Sequence, residues 1–424
     1  MLTAIVGINW GDEGKGRMVD LLSADYDIIC RYQGGNNAGH TVINERGKFV
    51  LNLLPSGILR AHTINIMGPG MVIDLEHLCK EIDALHEKGV TLTHETLKIS
   101  DKAFICLPYH VEQDILEEER LGDKKYGSTR RGIAPVYGDK YMKKGLRMGD
   151  LLEDCSLQSK LDALLEWKGI TFTGYSAETP GSDSLIQWLH KYGEKLIPYI
   201  SDTSEVLNRA VEGGKRIMFE AQLGSLRDID YGIYPYTTSS QTLAAYAVIG
   251  AGIPGAKLGR VIGVMKSYSS CVGEGAFTAE LFGEQADILR EAGGEYGAAT
   301  GRPRRVGGFD IPASRYGIRV QGADEIALTK LDVLACYDKI PVCVAYEVDG
   351  VKTESFPSGD KLVRAKPVYE YLEGFSCDIS KCRKAEDLPK PALDYVRFIE
   401  KSVGCPVKYV SVGAGREDYL VLEV

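Results

Sequence analysis

The sequence predicts an α/β protein with a large, mostly parallel central sheet flanked by helices. Three observations predict it. Short β-branched runs alternate with helix-patterned segments, and helices between consecutive strands force crossovers and parallel pairing. A glycine-rich loop joins the first strand to the first helix, which aims backbone N–H groups and a helix dipole at an anion. No repeat, low-complexity tract or linker interrupts the 424 residues. They read as one domain over residues 1–424, since large α/β enzymes often run this long as one body.

Leu2 to Ile8 is apolar and β-branched, like a buried strand. Gly11-Asp12-Glu13-Gly14-Lys15-Gly16 follows, then a helix over Arg17 to Leu22. Asp27 to Arg31 reads as a strand, and Gln33 to Thr41 as a second loop rich in glycine and asparagine. Ile64 to Met67 and Leu97 to Ser100 are strands, separated by a helix over Leu75 to Glu87 that stops at Gly89. His110 to Arg120 reads as a helix, and Lys124 to Asp139 as a basic loop. Helices follow over Leu151 to Lys168 and Ser184 to Tyr192. Arg216 to Phe219 is a short buried strand that delivers Glu220 into a loop. Val261 to Lys266, Glu325 to Lys330, Val342 to Val348 and Val407 to Ser411 are later strands, with a helix over Pro391 to Val403. Ligands bind such sheets beyond the carboxyl ends of the strands, where these loops fall.

Composition narrows the function. With 44% hydrophobic and 26% charged residues the chain is globular. A net charge of -9 argues against broad binding to nucleic acid or anionic membranes. Basic residues gathered at Lys124, Lys125, Arg130 and Arg131, and again at Lys143, Lys144 and Arg147, leave room for small anions. Ten scattered cysteines without a C-x-x-C, and only seven histidines, argue against a zinc site. The same cysteines, with no basic-then-apolar leader, imply a reducing, cytoplasmic setting. No window approaches the ~18 apolar residues of a membrane span.

Four segments carry chemistry. The first loop departs from the usual phosphate loop: Asn9 holds its opening position, and Gly16 replaces the closing Ser/Thr. The magnesium-binding hydroxyl is therefore missing, and Asp12 is available as a hard oxygen ligand in its place. Alone, this loop fits an ordinary strand–helix turn equally well. The second loop adds His40, a side chain suited to proton transfer near neutral pH. Lys330-Leu331-Asp332 follows a strand; there the carboxylate can accept hydrogen bonds from a guanine edge while the lysine stem covers the ring. Ser411-Val412-Gly413 can close over the same base. Arg302, Arg304 and Arg305 form a fork-shaped trap for carboxylates or phosphates, although a solvated basic turn would look the same.

Taken together, Trp10 to Gly16 (WGDEGKG), Arg31 to Thr41 (RYQGGNNAGHT), Pro55 to Arg60 (PSGILR), Asp228 to Ser240 (DIDYGIYPYTTSS), Thr300 to Arg305 (TGRPRR) and Thr329 to Leu334 (TKLDVL) resemble the adenylosuccinate synthetase family. The blocks keep that family's order along nearly the whole chain. The resemblance implies a roughly ten-stranded sheet with a P-loop-like GTP site, a homodimer, one Mg²⁺ per subunit, and GTP as co-substrate. It implies that Asp12 removes the N1 proton of IMP while ligating Mg²⁺ with the Gly39 carbonyl, and that the 6-oxygen then takes the γ-phosphate. His40 acts as acid and Lys15 offsets charge. L-aspartate finally displaces phosphate from C6.

The same resemblance assigns the remaining residues. The nucleotide falls to Asp12, Glu13, Gly14, Lys15, Asn37, Ala38, Gly39, His40, Thr129, Gln222, Leu223, Thr238 and Arg302, with Lys143 reaching from the partner subunit. Aspartate falls to Ala298, Ala299, Thr300, Gly301, Arg302 and Arg304. GTP falls to Gly11 through Arg17, Gly39, His40, Thr41, Arg304, Lys330, Leu331, Asp332, Ser411, Val412 and Gly413. Three positions depart from the family. Leu223 falls where its glutamine contacts the nucleotide, with Gln222 one place early; Lys143 replaces an arginine; and Cys271 replaces another. All three lie on the nucleotide side. They motivate an alternative in which the same chemistry acts on a modified or 2-amino purine nucleotide.

Overall fold

The computed structural model describes all residues except 38, 45, 46, 297–300, 302, 423 and 424, and the backbone alone of 44 and 154. A ten-stranded sheet runs through the molecule. From one edge its order is Tyr419–Val421, Val407–Ser411, Glu325–Thr329, Arg260–Lys266, Leu2–Gly7, Ile217–Gly224, Ile28–Arg31, Ile64–Met67, Leu97–Ser100 and Ile200–Ser201. Only Tyr419–Val421 pairs antiparallel; the other neighbours are parallel.

The strands explain their own burial. Leu2–Gly7 and Ile28–Arg31 are buried at every position, as expected of parallel strands covered on both faces. One large apolar cluster packs the helices Leu75–Glu87 and Ser182–Leu196 against the Leu97–Ser100 side. A second packs Ile311–Gln321 and Lys390–Val403 against the Glu325–Thr329 side. The first strand lies between them, so the loop that leaves it sits at the middle of the carboxyl edge.

Most elements stand where the sequence puts them, with ends shifted by a few residues. Four do not. The first helix begins at Lys15, two residues early, because the loop turns at Gly14 with φ 100°, a value suited to glycine. His40 and Thr41 belong to a hairpin strand, His40–Asn44, paired with Gly47–Leu51, rather than to a loop. Glu220 stays inside a longer strand, Ile217–Gly224. The basic stretch becomes helical from Ile133 to Met142. The expected strand Val342–Val348 lies in Lys339–Val348 of a separate four-stranded sheet.

The helix Ile311–Gln321 fixes the base of the first loop. Gln321 Nε2 donates to the Gly7 carbonyl at 3.0 Å, and Asn9 Nδ2 donates to Ser314 Oγ at 3.1 Å. Gly317 permits this approach: a Cβ there would lie 2.0 Å from the Ile8 carbonyl oxygen. Gly317→Ala must push the helix off the strand. We expect a loss of about 1–3 kcal/mol, the range for overpacking, read as a fall in the thermal unfolding midpoint; an unchanged midpoint would refute this contact.

Candidate active site

The first loop is organised from within by Glu13. Its Oε1 accepts from the Asn9 N–H at 3.2 Å and the Gly11 N–H at 2.8 Å. Its Oε2 holds Lys15 Nζ at 2.7 Å, both side chains being buried. Thr329 Oγ1 donates to the Glu13 carbonyl at 2.7 Å, tying the loop to the next strand but one. Removing either charge of a buried pair costs about 3–5 kcal/mol. Gly7 and Gly224 leave room for this carboxylate: a Cβ on either would lie 2.6–2.7 Å from a Glu13 oxygen.

The missing hydroxyl of the usual phosphate loop has a steric cause. A Cβ at Gly16 would lie 2.5 Å from His40 Cβ and 2.9 Å from Ser56 Oγ. No serine or threonine fits there while His40 packs on the helix start. His40 is buried, and its Nδ1 contacts Glu220 Oε1. Glu220 is also buried; it accepts from the Ser56 N–H at 2.7 Å and the Ser56 hydroxyl at 2.6 Å. Burial works to raise the Glu220 pKa. His40, Arg31 and Ser56 outweigh it, so the group stays ionised below its usual range. Burial depresses the His40 pKa, and Glu220 only partly offsets this. A carboxylate on one ring nitrogen fixes the tautomer and leaves Nε2 for the reacting group.

On the other side of the loop, Arg304 Nη2 lies 3.2 Å from Asp12 Oδ2. Asp12 sits at φ 56° and its side chain is 32% exposed. Arg305 does not join Arg304 on this side of the loop. Arg305 turns away to Glu280, at 2.8 and 2.5 Å, and to the Gly275 carbonyl at 2.7 Å. Two charged oxygens there satisfy the fork, so it serves structure. Ala38, Ala298, Ala299, Thr300 and Arg302 lie outside the described residues; Gly301 is exposed.

Lys330, Asp332, Ser411 and Gly413 come together at the end of two adjacent strands. Lys330, at φ 60°, caps the short turn Leu331–Cys336; Leu331 anchors that turn in the core. Asp332 Oδ1 is buried and has no hydrogen-bond partner among the described residues; burial raises its pKa. A buried acceptor without a partner is costly. Arg17 packs beside them: Nη1 donates to Ser411 Oγ at 2.9 Å, Nη2 to the Gly415 carbonyl at 2.5 Å, and the guanidinium lies 4.4 Å over Tyr419. The Val412 N–H donates to the Asp418 carbonyl at 2.9 Å.

The structure resolves what two of the departing positions do. Gln222 is fully buried, and its Nε2 donates to the Gly35 carbonyl at 2.8 Å. Its amide supports the second loop from beneath, so no local shift returns it to the open face. Leu223 stands there instead, at φ 58°, against Gly11. Beside Cys271 a guanidinium is still present. Arg227 Nη2 contacts Cys271 Sγ at 2.8 Å and donates to the Val272 carbonyl at 2.7 Å; Nη1 donates to the Tyr236 carbonyl at 2.5 Å. The Thr238 N–H donates to the Arg227 carbonyl at 2.8 Å, so this residue also sets Thr238. Lys143 is exposed at the end of its helix. Thr129 and Gly39 are exposed, Asn37 is half-buried, and Asn37 Oδ1 has no partner among the described residues.

Sequence reasoning missed Glu220 as the orienter of His40. A charge inside the apolar run Ile217-Met218-Phe219-Glu220-Ala221 was the available signal. It also missed Arg227 and Glu295, which no local pattern marks.

A glycine-rich loop with a carboxylate-held histidine on one flank and a buried carboxylate, Asp332, on the other fits a nucleotide-dependent enzyme. The adenylosuccinate synthetase family model matches residues 4–420. Adenylosuccinate synthetases of Streptococcus gordonii and Streptococcus sanguinis are each 44% identical over 421 residues, covering 99% of this chain and 97% of theirs. The fully ligated adenylosuccinate synthetase of Plasmodium falciparum superposes with TM-score 0.93 at 36% identity, covering 99% of both chains. A cyanophage S-2L succinoaminodeoxyadenylate synthetase, 20% identical, shares the fold with TM-score 0.64 over the whole of this chain and 95% of its own. The chain belongs to the adenylosuccinate synthetase family.

The dyad yields a signed prediction. The Glu220 carboxylate stabilises the imidazolium, so Glu220→Gln lowers the His40 pKa. If turnover needs His40 protonated, kcat falls as pH rises through that pKa, and the basic limb of the profile moves to lower pH. We expect kcat at neutral pH to drop about 10²-fold, the scale of general acid catalysis, with the fold intact by circular dichroism. An unmoved basic limb would refute the coupling.

Proposed function

We propose that the chain joins L-aspartate to IMP at the expense of GTP, through a 6-phosphoryl intermediate that yields adenylosuccinate, GDP and phosphate. The observation that carries this reading is the pair of groups flanking one phosphate loop: Asp12 beside Arg304, and His40 held by Glu220. Family membership and the relatives' names support it.

The chemistry follows from the substrate. A purine carbonyl is a poor leaving group, and phosphorylation makes it a good one. Asp12 takes the N1 proton of IMP, which makes the 6-oxygen a nucleophile toward the γ-phosphorus of GTP. As the anionic phosphoryl group approaches, it raises the basicity of His40, and the imidazolium donates through Nε2 to a phosphoryl oxygen. Lys15 and the loop amides offset the charge that develops there. The amine of aspartate then adds at C6, and phosphate leaves with the 6-oxygen. Gly301, Arg302 and Arg304, with Ala298, Ala299 and Thr300, hold the aspartate carboxylates.

A magnesium ion fits this site. Asp12 Oδ2 already takes a cationic neighbour, Arg304 at 3.2 Å, and one carboxylate plus the Gly39 carbonyl suit an ion that fills its other positions with water and phosphate oxygens. When bound, it neutralises phosphate charge. Asp332 accepts from the guanine edge, Lys330 covers the ring, and Ser411 and Gly413 close the pocket. Asn37, Thr129 and Thr238 hold IMP. The exposure of Lys143 supports a role toward the partner subunit of a homodimer. All ten cysteines are free thiols, which supports a cytoplasmic location; no described helix is long and apolar enough to cross a membrane.

Substrate choice tests the reading. IMP is expected to be turned over far faster than dIMP, GMP or dGMP; preference for a 2-amino purine nucleotide would overturn it, and the family relatives do not favour that alternative. Asp12→Ala is expected to lose about 10²–10⁴-fold in kcat while keeping its unfolding midpoint; a folded variant with near-normal turnover would contradict the assigned base. Asp332→Asn is expected to narrow the preference for GTP over ATP and ITP. An unchanged ratio would remove Asp332 from base recognition.

A further inference from the structure

Four groups converge on Glu295, whose side chain has no exposed surface. Its Oε1 accepts from Lys266 Nζ at 2.8 Å, Lys330 Nζ at 3.0 Å and the Tyr268 hydroxyl at 2.5 Å. Its Oε2 accepts from Arg304 Nη1 at 3.1 Å. The Arg304 N–H donates to the Glu295 carbonyl at 2.9 Å, so backbone and side chain both tie the two residues.

The four partners differ in kind. Lys266 and Tyr268 are buried and form a fixed floor. Lys330 and Arg304 are 34% and 19% exposed and face the site. Arg304 divides its fork, giving Nη1 to Glu295 and Nη2 to Asp12 at 3.2 Å. One buried carboxylate thus reaches a residue of the base pocket directly, and the catalytic carboxylate through one guanidinium.

We propose that Glu295 is a positioning residue that couples occupation of the base pocket to the placement of Arg304 beside Asp12. The proposal rests on the roles given above to Lys330, Arg304 and Asp12. A base stacked on the Lys330 stem fixes that ammonium on Glu295. Glu295, in turn, holds Arg304 in place when Asp12 gives up its contact to work on substrate. Lys266 sets the charge balance: three cations meet one carboxylate, so the cluster favours incoming phosphate or aspartate carboxylate.

The test uses Glu295→Gln and the double variant Lys266→Met/Glu295→Gln. In the single variant, KM for GTP and for L-aspartate should each rise about tenfold, the scale of one hydrogen bond to a charged group. KM for IMP should stay within about twofold, because among the described residues the Glu295 side chain bonds none of those given above to IMP. GDP affinity by calorimetry should fall in parallel; it reports on the base pocket whichever purine is phosphorylated, so it stays readable if the ligase reading fails. The single variant leaves Lys266 buried and unpaired and is expected to lower the unfolding midpoint. The double variant removes that charge and should recover the midpoint but not the KM values. Recovery of both together, or unchanged GDP affinity in the single variant, would overturn the proposal and leave Glu295 as scaffold.

Discussion

Much of the site depends on the carboxylate of Glu13. It accepts two N–H groups of its own loop and holds Lys15. The loop is therefore shaped before any phosphate arrives, and preorganised donors gain more than donors that must be ordered on binding. The neighbouring strands must in turn be glycine where they pass this carboxylate, at Gly7 and Gly224. Gly16 completes the constraint: its missing side chain lets His40 approach the helix start. The same substitution removes the usual metal-binding hydroxyl, and Asp12 is the oxygen donor that remains nearby. One steric choice thus links the form of the loop to the proton chemistry on its flank.

Buried charge is distributed along the carboxyl edge by purpose. Glu220 and Glu295 have every oxygen engaged and hold other groups: an imidazole in one case, two site cations in the other. Asp332 is the contrast, with an oxygen that no described residue satisfies. A satisfied buried carboxylate orients its neighbours, whereas an unsatisfied one carries a cost that a donor would offset. Arg305 shows the same rule for cations, since its fork is spent on Glu280.

The sheet was legible because its strands are short, apolar and separated by helix-patterned segments. Leu75–Glu87 was readable to the residue because the Asp74 N-cap and the following Gly89 bound it. The hairpin at His40 was hidden, since glycine and asparagine dominate the text before it. The phosphate loop, Lys330 and Asp332 were visible as local motifs. Glu220, Arg227 and Glu295 were not, because each acts on residues far away in sequence and no spacing rule records that. Gln222 was visible but misleading: one residue of offset in an extended strand turns a side chain to the opposite face, and here it turned the amide inward.

The central claim is that the 6-oxygen of the purine becomes an oxygen of the released phosphate. IMP labelled with oxygen-18 at that position, turned over with GTP and L-aspartate, tests it directly. The account predicts one labelled oxygen in each inorganic phosphate formed, read by phosphorus NMR. Unlabelled phosphate formed alongside adenylosuccinate would mean that GTP is cleaved by another route, and would contradict the roles drawn for Asp12 and His40.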